Sequence, residues 1–154
     1  MTAELADCFD TKADGVRHVV QAVQRAAEAM PVYVWHTTGE FVDASACLAD
    51  PLPAAASNWH ALATWAARRF EVEQGVLLDI GSTTADIIPL TAQSPVPAGL
   101  TDCARLQSGE LVYTGVRRTP LCALAAAVPY RGGFCPLAAE WFATTHDVYL
   151  LLGD

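Results

Sequence analysis

The chain has 154 residues, 53% of them hydrophobic and 17% charged, a balance typical of a globular protein with a real core. Its net charge of −8 argues against binding to nucleic acid or to an anionic membrane surface, because both need clustered Lys and Arg. The acidic N-terminal residues do not resemble a signal peptide, and no apolar run reaches the roughly 18 residues that span a bilayer. We therefore expect a soluble, cytoplasmic protein whose anion sites rest on backbone N–H groups, a metal and a few Arg.

The first third of the chain predicts a helix followed by a strand or hairpin. Residues 12–30 place valines at helical spacing after a candidate N-cap at Asp10, and Pro31 ends the pattern. The β-type run at 32–35 is followed by a turn-like segment and by the apolar pair at 41–42.

A second helix is predicted to begin after Ser57 and to end at Arg69. Its apolar residues recur at helical spacing, which predicts one buried face. That face is predicted to contain Trp59, Leu62, Ala63, Ala66 and Phe70.

The second half begins with apolar runs at 76–78 and 87–88, which predict a buried β-hairpin. The prolines and glycine of 95–99 indicate an exposed connection, and 109–115 predicts a further short strand. Two helices are then predicted, one running from residue 119 to residue 128 and one from residue 136 to residue 152. Because helices alternate with strands, the predicted class is α/β.

The hairpin segment LLDIGSTTADIIPL carries the clearest chemical pattern. Asp79 ends one apolar run, Gly81 provides backbone freedom for positive φ and close approach, and Asp86 follows the loop. The N–H and hydroxyl groups of Ser82, Thr83 and Thr84 can form an anion-binding nest, and the two carboxylates can hold Mg²⁺ through water. The alternative is a tight hairpin whose Gly and Ser only make the turn.

A second group of polar residues lies around the predicted strand at 109–115. Arg binds phosphate oxygens in a bidentate manner, so this group is a candidate substrate site, although a solvated basic corner explains it equally well. Its members are Glu110, Tyr113, Arg117, Arg118 and Thr119. The five cysteines have no zinc-ligand spacing and are expected to be free thiols, because an odd number cannot all pair within one chain.

LLDIGSTTADIIPL resembles the second phosphate-binding hairpin of the superfamily that includes actin, sugar kinases and heat-shock chaperone ATPases, in the form found in hydantoinase A and 5-oxoprolinase proteins. Further segments resemble one subfamily linked to tetrahydromethanopterin-dependent one-carbon transfer, whose archaeal relatives are similar to the methylofuran-forming synthase. These segments are MTAELADCFDTKADGV, VYVW, SNWHALATWAAR, SGELVYTGVRRTPLCAL and CPLAAEWFATTHDVYLLLGD. The resemblance implies a ribonuclease H-like (actin-like ATPase) α/β domain.

The resemblance also implies a reaction, in which the phenol of γ-glutamyltyramine displaces diphosphate from an activated aminomethylfuran to form an ether. ATP or a diphosphate-bearing substrate, with Mg²⁺, would be the ligands. The resemblance makes Glu4 and Asp7 candidate ligands of a metal or of the substrate amine. The alternative is that both are ordinary solvated acids. An ATP-dependent hydrolase of the hydantoinase and oxoprolinase kind is the alternative enzyme.

Members of that superfamily begin with a first phosphate loop, and nothing similar precedes Met1. Residues 1–154 are therefore expected to form a single partial domain, a fragment that carries the second phosphate loop without the first. An inactive fragment with only a weak anion site is the remaining alternative. Loss of N-terminal strands would expose a sheet edge, so a homodimer formed through this edge is expected.

Overall fold

The computed structural model describes residues 3–153, a mixed α/β arrangement of six α-helices and small antiparallel sheets. These residues divide into two compact units, the first containing 3–75 and 89–96 and the second 76–88 and 97–153. Within 3–153, no helix is long and apolar enough to cross a membrane.

The first unit is built on an apolar core between helices and a hairpin. Helix α1 (Lys12–Ala27) is followed by the antiparallel strands β1 (Tyr33–Trp35) and β2 (Phe41–Asp43), then by α2 (Ala44–Ala49) and α3 (Asn58–Arg69). Short 3-10 helices occupy Ala3–Leu5 and Leu52–Ala54. Five fully or nearly fully buried residues form the centre of this core: Val16, Val20, Ala44, Cys47 and Ala54.

Both predicted helices of this unit exist, with corrections at their ends and faces. The N-cap of α1 is Thr11, not Asp10, because the Thr11 hydroxyl accepts from the N–H of Asp14 at 3.1 Å. Helix α3 buries Trp59, as predicted, but Leu62 is 38% exposed and Phe70 is 68% exposed. Phe70 lies after the last helical turn, where the helical spacing no longer holds.

The central sheet is organised around strand β4 (Ala85–Thr91), which confirms the predicted hairpin. Strand β3 (Gln74–Ile80) pairs with one edge of β4, whereas β5 (Ser94–Pro95) and β6 (Leu111–Val112) pair with the other. Helix α4 (Asp102–Ser108) precedes β6 and is capped by the Thr101 hydroxyl, which accepts from the N–H of Ala104.

The prediction of two long helices in the last third is wrong. The first ends early as α5 (Leu121–Leu124), and an antiparallel pair follows, β7 (Ala127–Tyr130) with β8 (Gly133–Pro136). Pro129 explains this result, since proline disfavours helical geometry in the residue before it. Helix α6 (Thr145–Leu152) begins only where the Asp147 carboxylate accepts from the N–H of Thr144 at 2.7 Å.

The predicted burial of strand β3 is also wrong on one of its faces. Val76, Leu78 and Ile80 are each about 60% exposed, because no element of the described residues covers that side of the strand. The outer edge of β3 likewise pairs with no other strand in 3–153. A seven-residue strand with a free edge and an apolar face is a template for pairing with another chain.

We propose that two copies of the chain pair through the free edge of β3. A two-fold antiparallel pairing centred on Leu77 sets Val76 of one copy opposite Leu78 of the other. The same register sets Asp79 opposite Gly75, so no two like charges meet directly. Light scattering at micromolar concentration should give twice the chain mass of 16.4 kDa.

The variant Leu78→Lys should give a monomer, because each added charge would lie in the apolar face that the two copies share. Leu52→Lys is the matched control, since Leu52 is 60% exposed and Leu78 is 61% exposed. A monomeric parent chain, or a Leu78→Lys variant that remains dimeric, would contradict the pairing.

A pH dependence of stability follows from His60. The Trp35 indole N–H donates to Nδ1 of His60 at 3.2 Å, which requires a neutral imidazole, and burial lowers the pKa of His60 below its ordinary 6.5. The unfolded chain therefore takes up this proton at higher pH than the folded chain does. The free energy of unfolding should be highest above about pH 6.5 and should fall as the pH drops below that value.

Urea denaturation midpoints across this pH range should show the decrease in the parent chain and in a His18→Gln variant, because the His18 side chain is exposed. His60→Gln should lose much of the pH dependence, whatever its own stability. An equal slope in His60→Gln and the parent would refute the assignment to His60.

Candidate functional site

The candidate site is the loop between β3 and β4, at the end of the hairpin. The N–H of Gly81 donates to the carbonyl of Thr84 at 2.8 Å, so Ser82 and Thr83 form the tip. The expectation of positive φ at Gly81 is wrong, since Gly81 is not among the residues with positive φ. Glycine has a different use there, because a Cβ would lie 3.2 Å from the Thr84 carbonyl oxygen.

Three N–H groups of the loop lack a protein acceptor among the described residues. Within residues 3–153, the backbone N–H groups of Ser82, Thr83 and Thr84 donate to no other protein group. The hydroxyls of Ser82 and Thr83 lie 3.5 Å apart, and all three side chains are partly exposed. Neighbouring N–H groups of this kind can bind an anion without any positively charged side chain.

The carbonyl groups of the same loop are held by the segment that follows β6. Val116 donates its N–H to the Gly81 carbonyl at 3.0 Å, and Arg117 and Arg118 donate theirs to the Ser82 carbonyl at 3.1 and 2.8 Å. The loop is thus fixed through its carbonyl groups, whereas its N–H groups at 82–84 have no protein acceptor within residues 3–153.

Gly115 is a site residue that sequence reasoning missed. A Cβ at this position would lie 2.6 Å from the Ser82 carbonyl oxygen and closer still to the Thr83 nitrogen, so only glycine lets the two segments approach. The Thr119 hydroxyl accepts from the Gly115 N–H at 2.7 Å, and the Thr145 hydroxyl donates to the Gly115 carbonyl at 2.9 Å. Gly115 and Thr119 are both buried.

The two carboxylates of the predicted site lie on facing strands. Hydrogen bonds at both ends of the hairpin, from Gly81 to Thr84 and from Ala92 to the carbonyl of Glu73, give one register, which places Asp79 across from Asp86. Like charges directly opposite each other are unfavourable unless a cation lies nearby.

Arg105, which the sequence did not reveal, supplies that positive charge. Its guanidinium contacts an Asp86 carboxylate oxygen at 2.9 Å and donates to the Glu110 carbonyl at 3.0 Å. The Arg105 side chain is only 1% exposed and that of Asp86 16% exposed, so this is a buried ion pair. Asp86 therefore has a structural partner whatever else it binds.

The second group of predicted residues is divided by the structure. Glu110 is buried, and its side chain accepts from the N–H of Ala98 at 2.7 Å, so it supports the fold next to Arg105. Tyr113, Arg117 and Arg118 are exposed, and within 3–153 neither arginine forms an ion pair. Both guanidiniums belong to the segment whose backbone holds the loop.

Glu4 and Asp7 belong to the first compact unit. The Glu4 carboxylate is buried and accepts from the N–H of Ala56 at 2.7 Å, which is not the environment of a solvated acid. Its other oxygen has no partner among the described residues. Asp7 is exposed. A binding role for these two residues stays a prediction.

The described residues contain no group of three or more His, Cys, Asp or Glu side chains that could hold a metal. Mg²⁺ needs fewer protein ligands than that, because it keeps several waters and usually takes one or two carboxylates beside a phosphate. Asp79 fits such a role better than Asp86 does, since Asp86 is engaged by Arg105. The five cysteines are free thiols.

The hairpin, with its loop and flanking carboxylates, belongs to a mixed α/β protein. The whole chain, residues 1–154, matches the family model described as hydantoinase/oxoprolinase. The chain therefore belongs to the hydantoinase/oxoprolinase family.

Two curated relatives are similar to the chain, and both are named as the synthase of a furan-2-yl methanamine that carries a gamma-L-glutamylaminoethyl-phenoxymethyl group. The Methanocaldococcus jannaschii protein is 42% identical over 152 residues, which are 99% of this chain and 45% of that protein. The Methanococcus vannielii protein is 39% identical over 77 residues, which are 50% of this chain and 34% of that protein. The chain thus spans less than half the length of either relative.

Removing the Asp86 charge should destabilise the second unit. The variant Asp86→Asn removes the carboxylate that contacts the buried Arg105 guanidinium at 2.9 Å, which should lower the free energy of unfolding by about 3 kcal/mol. The matched control is Asp14→Asn, because the Asp14–Arg17 pair is longer, 3.4 Å, and exposed. This control should lose less than about 1 kcal/mol. Equal losses in urea denaturation of the two variants would show that the buried pair is not specially stabilising.

Proposed function

We propose that the loop of residues 81–84 binds the phosphate oxygens of a diphosphate-bearing substrate. The observation that carries the proposal is the set of open N–H groups on Ser82, Thr83 and Thr84, beside a backbone segment that fixes the opposite side of the loop. Such a loop needs no rearrangement to receive an anion, so little binding energy is lost to ordering. The exposed guanidiniums of Arg117 and Arg118 add positive charge for the outer oxygens.

The names of the two relatives, of whose length the chain spans less than half, support one reaction. In that reaction, a phenol oxygen attacks the methylene carbon of an activated aminomethylfuran. A carbon–oxygen ether bond forms, the bond from carbon to the diphosphate oxygen breaks, and the phenol proton passes to a base. The product would be of the phenoxymethyl-furan kind for which the relatives are named.

The proposed role of the loop in this reaction is to stabilise the leaving group. Negative charge accumulates on the diphosphate as its bond to carbon breaks, and fixed N–H dipoles stabilise that charge without reorganising. Asp79, with the remaining oxygen of Asp86, would hold Mg²⁺ through water, and the ion would neutralise part of the same charge. A tight contact between Gly115 and the loop keeps the N–H groups aligned.

Calorimetric titration of the chain with inorganic diphosphate in Mg²⁺ should show binding, and Gly115→Ala should weaken it by about tenfold or more. The added methyl group would displace the Ser82 carbonyl and the Thr83 nitrogen, so the N–H groups would no longer point to one place. Gly133→Ala is the matched control in the same unit, because a Cβ there meets no atom closer than 3.9 Å.

The proposal fails if the parent chain does not bind diphosphate, or if Gly115→Ala binds it as well as Gly133→Ala does. Circular dichroism of the two variants must agree for the comparison to be valid. A parallel titration with ATP separates the synthase from an ATP-dependent hydrolase, since the hydrolase requires tighter binding of the nucleotide than of diphosphate.

A further inference from the structure

An aromatic cavity in the first unit is not used by the proposed function. It has a volume of about 370 Å³, within the range of small-molecule sites, and one side is formed by Trp35 and Phe41 from facing positions of β1 and β2. The other side is one face of α3, whose lining residues are spaced at helical intervals. These residues are Ala61, Thr64, Trp65 and Arg68.

Three aromatic side chains, Trp35, Phe41 and Trp65, line the cavity. Trp35 and Phe41 meet edge to face with 4.9 Å between ring centroids, Phe41 is 66% exposed and Trp65 is 58% exposed. The Trp35 ring is held in place because its N–H donates to His60 at 3.2 Å. A planar ring entering this space would make the offset and edge contacts that aromatic side chains favour.

A single positive charge lies at this cavity. Arg68 is exposed and forms no ion pair within residues 3–153, although the whole chain carries a net charge of −8. Arginine in a last helical turn is ordinary, but here the side chain also lines a cavity walled by aromatic rings. An adjacent cavity of about 330 Å³, half of whose lining residues are valines, has no charged lining residue and so lacks this feature.

We propose that this cavity binds a small planar aromatic molecule that carries a carboxylate. The ring would lie between Trp65 and Phe41, and the carboxylate would pair with the Arg68 guanidinium, which can donate two parallel N–H groups to the two carboxylate oxygens. All lining residues belong to the first unit, whereas the loop of residues 81–84 belongs to the second. This inference therefore does not depend on the proposed diphosphate site.

The test is fluorine NMR titration of the full chain with 4-fluorophenylacetate. The parent should bind it, and should bind 4-fluorophenethylamine, the cationic counterpart with the same ring, at least about tenfold more weakly. Cyclohexylacetate should compete poorly, because it has the carboxylate without the aromatic ring. Excess inorganic diphosphate should leave the titration unchanged, which separates failure of this site from failure of the loop.

Two neighbouring arginines supply a matched pair of variants. Arg68→Gln should weaken 4-fluorophenylacetate binding by about tenfold, whereas Arg69→Gln should leave it within about twofold, because Arg69 lies over the Phe70 ring and does not line the cavity. Trp65→Leu should weaken it as well. The inference is overturned if the parent does not bind the acid, if both arginine variants weaken binding equally, or if the amine binds as tightly as the acid.

Discussion

The second unit depends on the buried contact between Arg105 and Asp86. Arg105 comes from α4, Asp86 from the loop end of β4, and the Glu110 carbonyl that shares the guanidinium immediately precedes β6. One cation thereby fixes three elements, and the N–H of Ile87 donates to the same Glu110 carbonyl. The segment that holds the loop, residues 115–118, begins five residues after Glu110. The Arg105 contact with the Glu110 carbonyl therefore helps to position this segment.

The loop combines carbonyls that accept hydrogen bonds within the protein with N–H groups that do not donate to any of the described residues. The hydrogen-bonding groups it leaves unused are therefore donors. The carbonyls of Gly81 and Ser82 accept from the segment after β6, whereas the N–H groups of Ser82 to Thr84 have no protein acceptor in the described residues. Unpaired N–H groups are costly unless solvent or a ligand reaches them. An acidic chain can thus present a local positive potential without concentrating basic side chains, as its composition requires.

Local patterns predicted the hairpin and the loop because those features arise from residues adjacent in sequence. Arg105 and Gly115 were missed because their roles depend on contacts across the fold, with Asp86 and with the Ser82–Thr83 backbone. The last third failed for another reason: its alanines favour helix, but Pro129 restricts the residue before it. The exposed face of β3 was mistaken for a buried one because apolar composition does not say whether a neighbour is present.

The two units differ in how many apolar residues they bury, and this difference affects how each can respond to change. The first packs valines and alanines around Val16 and Cys47, so a lost methyl group is absorbed partly by relaxation of its neighbours. The second buries Arg105, Glu110 and Thr119 beside few apolar residues. Hydrogen bonds and ion pairs of that kind weaken steeply when their distance or angle departs from the preferred value, so small shifts of the chain cannot compensate for a lost partner. A binding loop held in this way is well aligned when every partner is present, and loss of one partner displaces it as a whole.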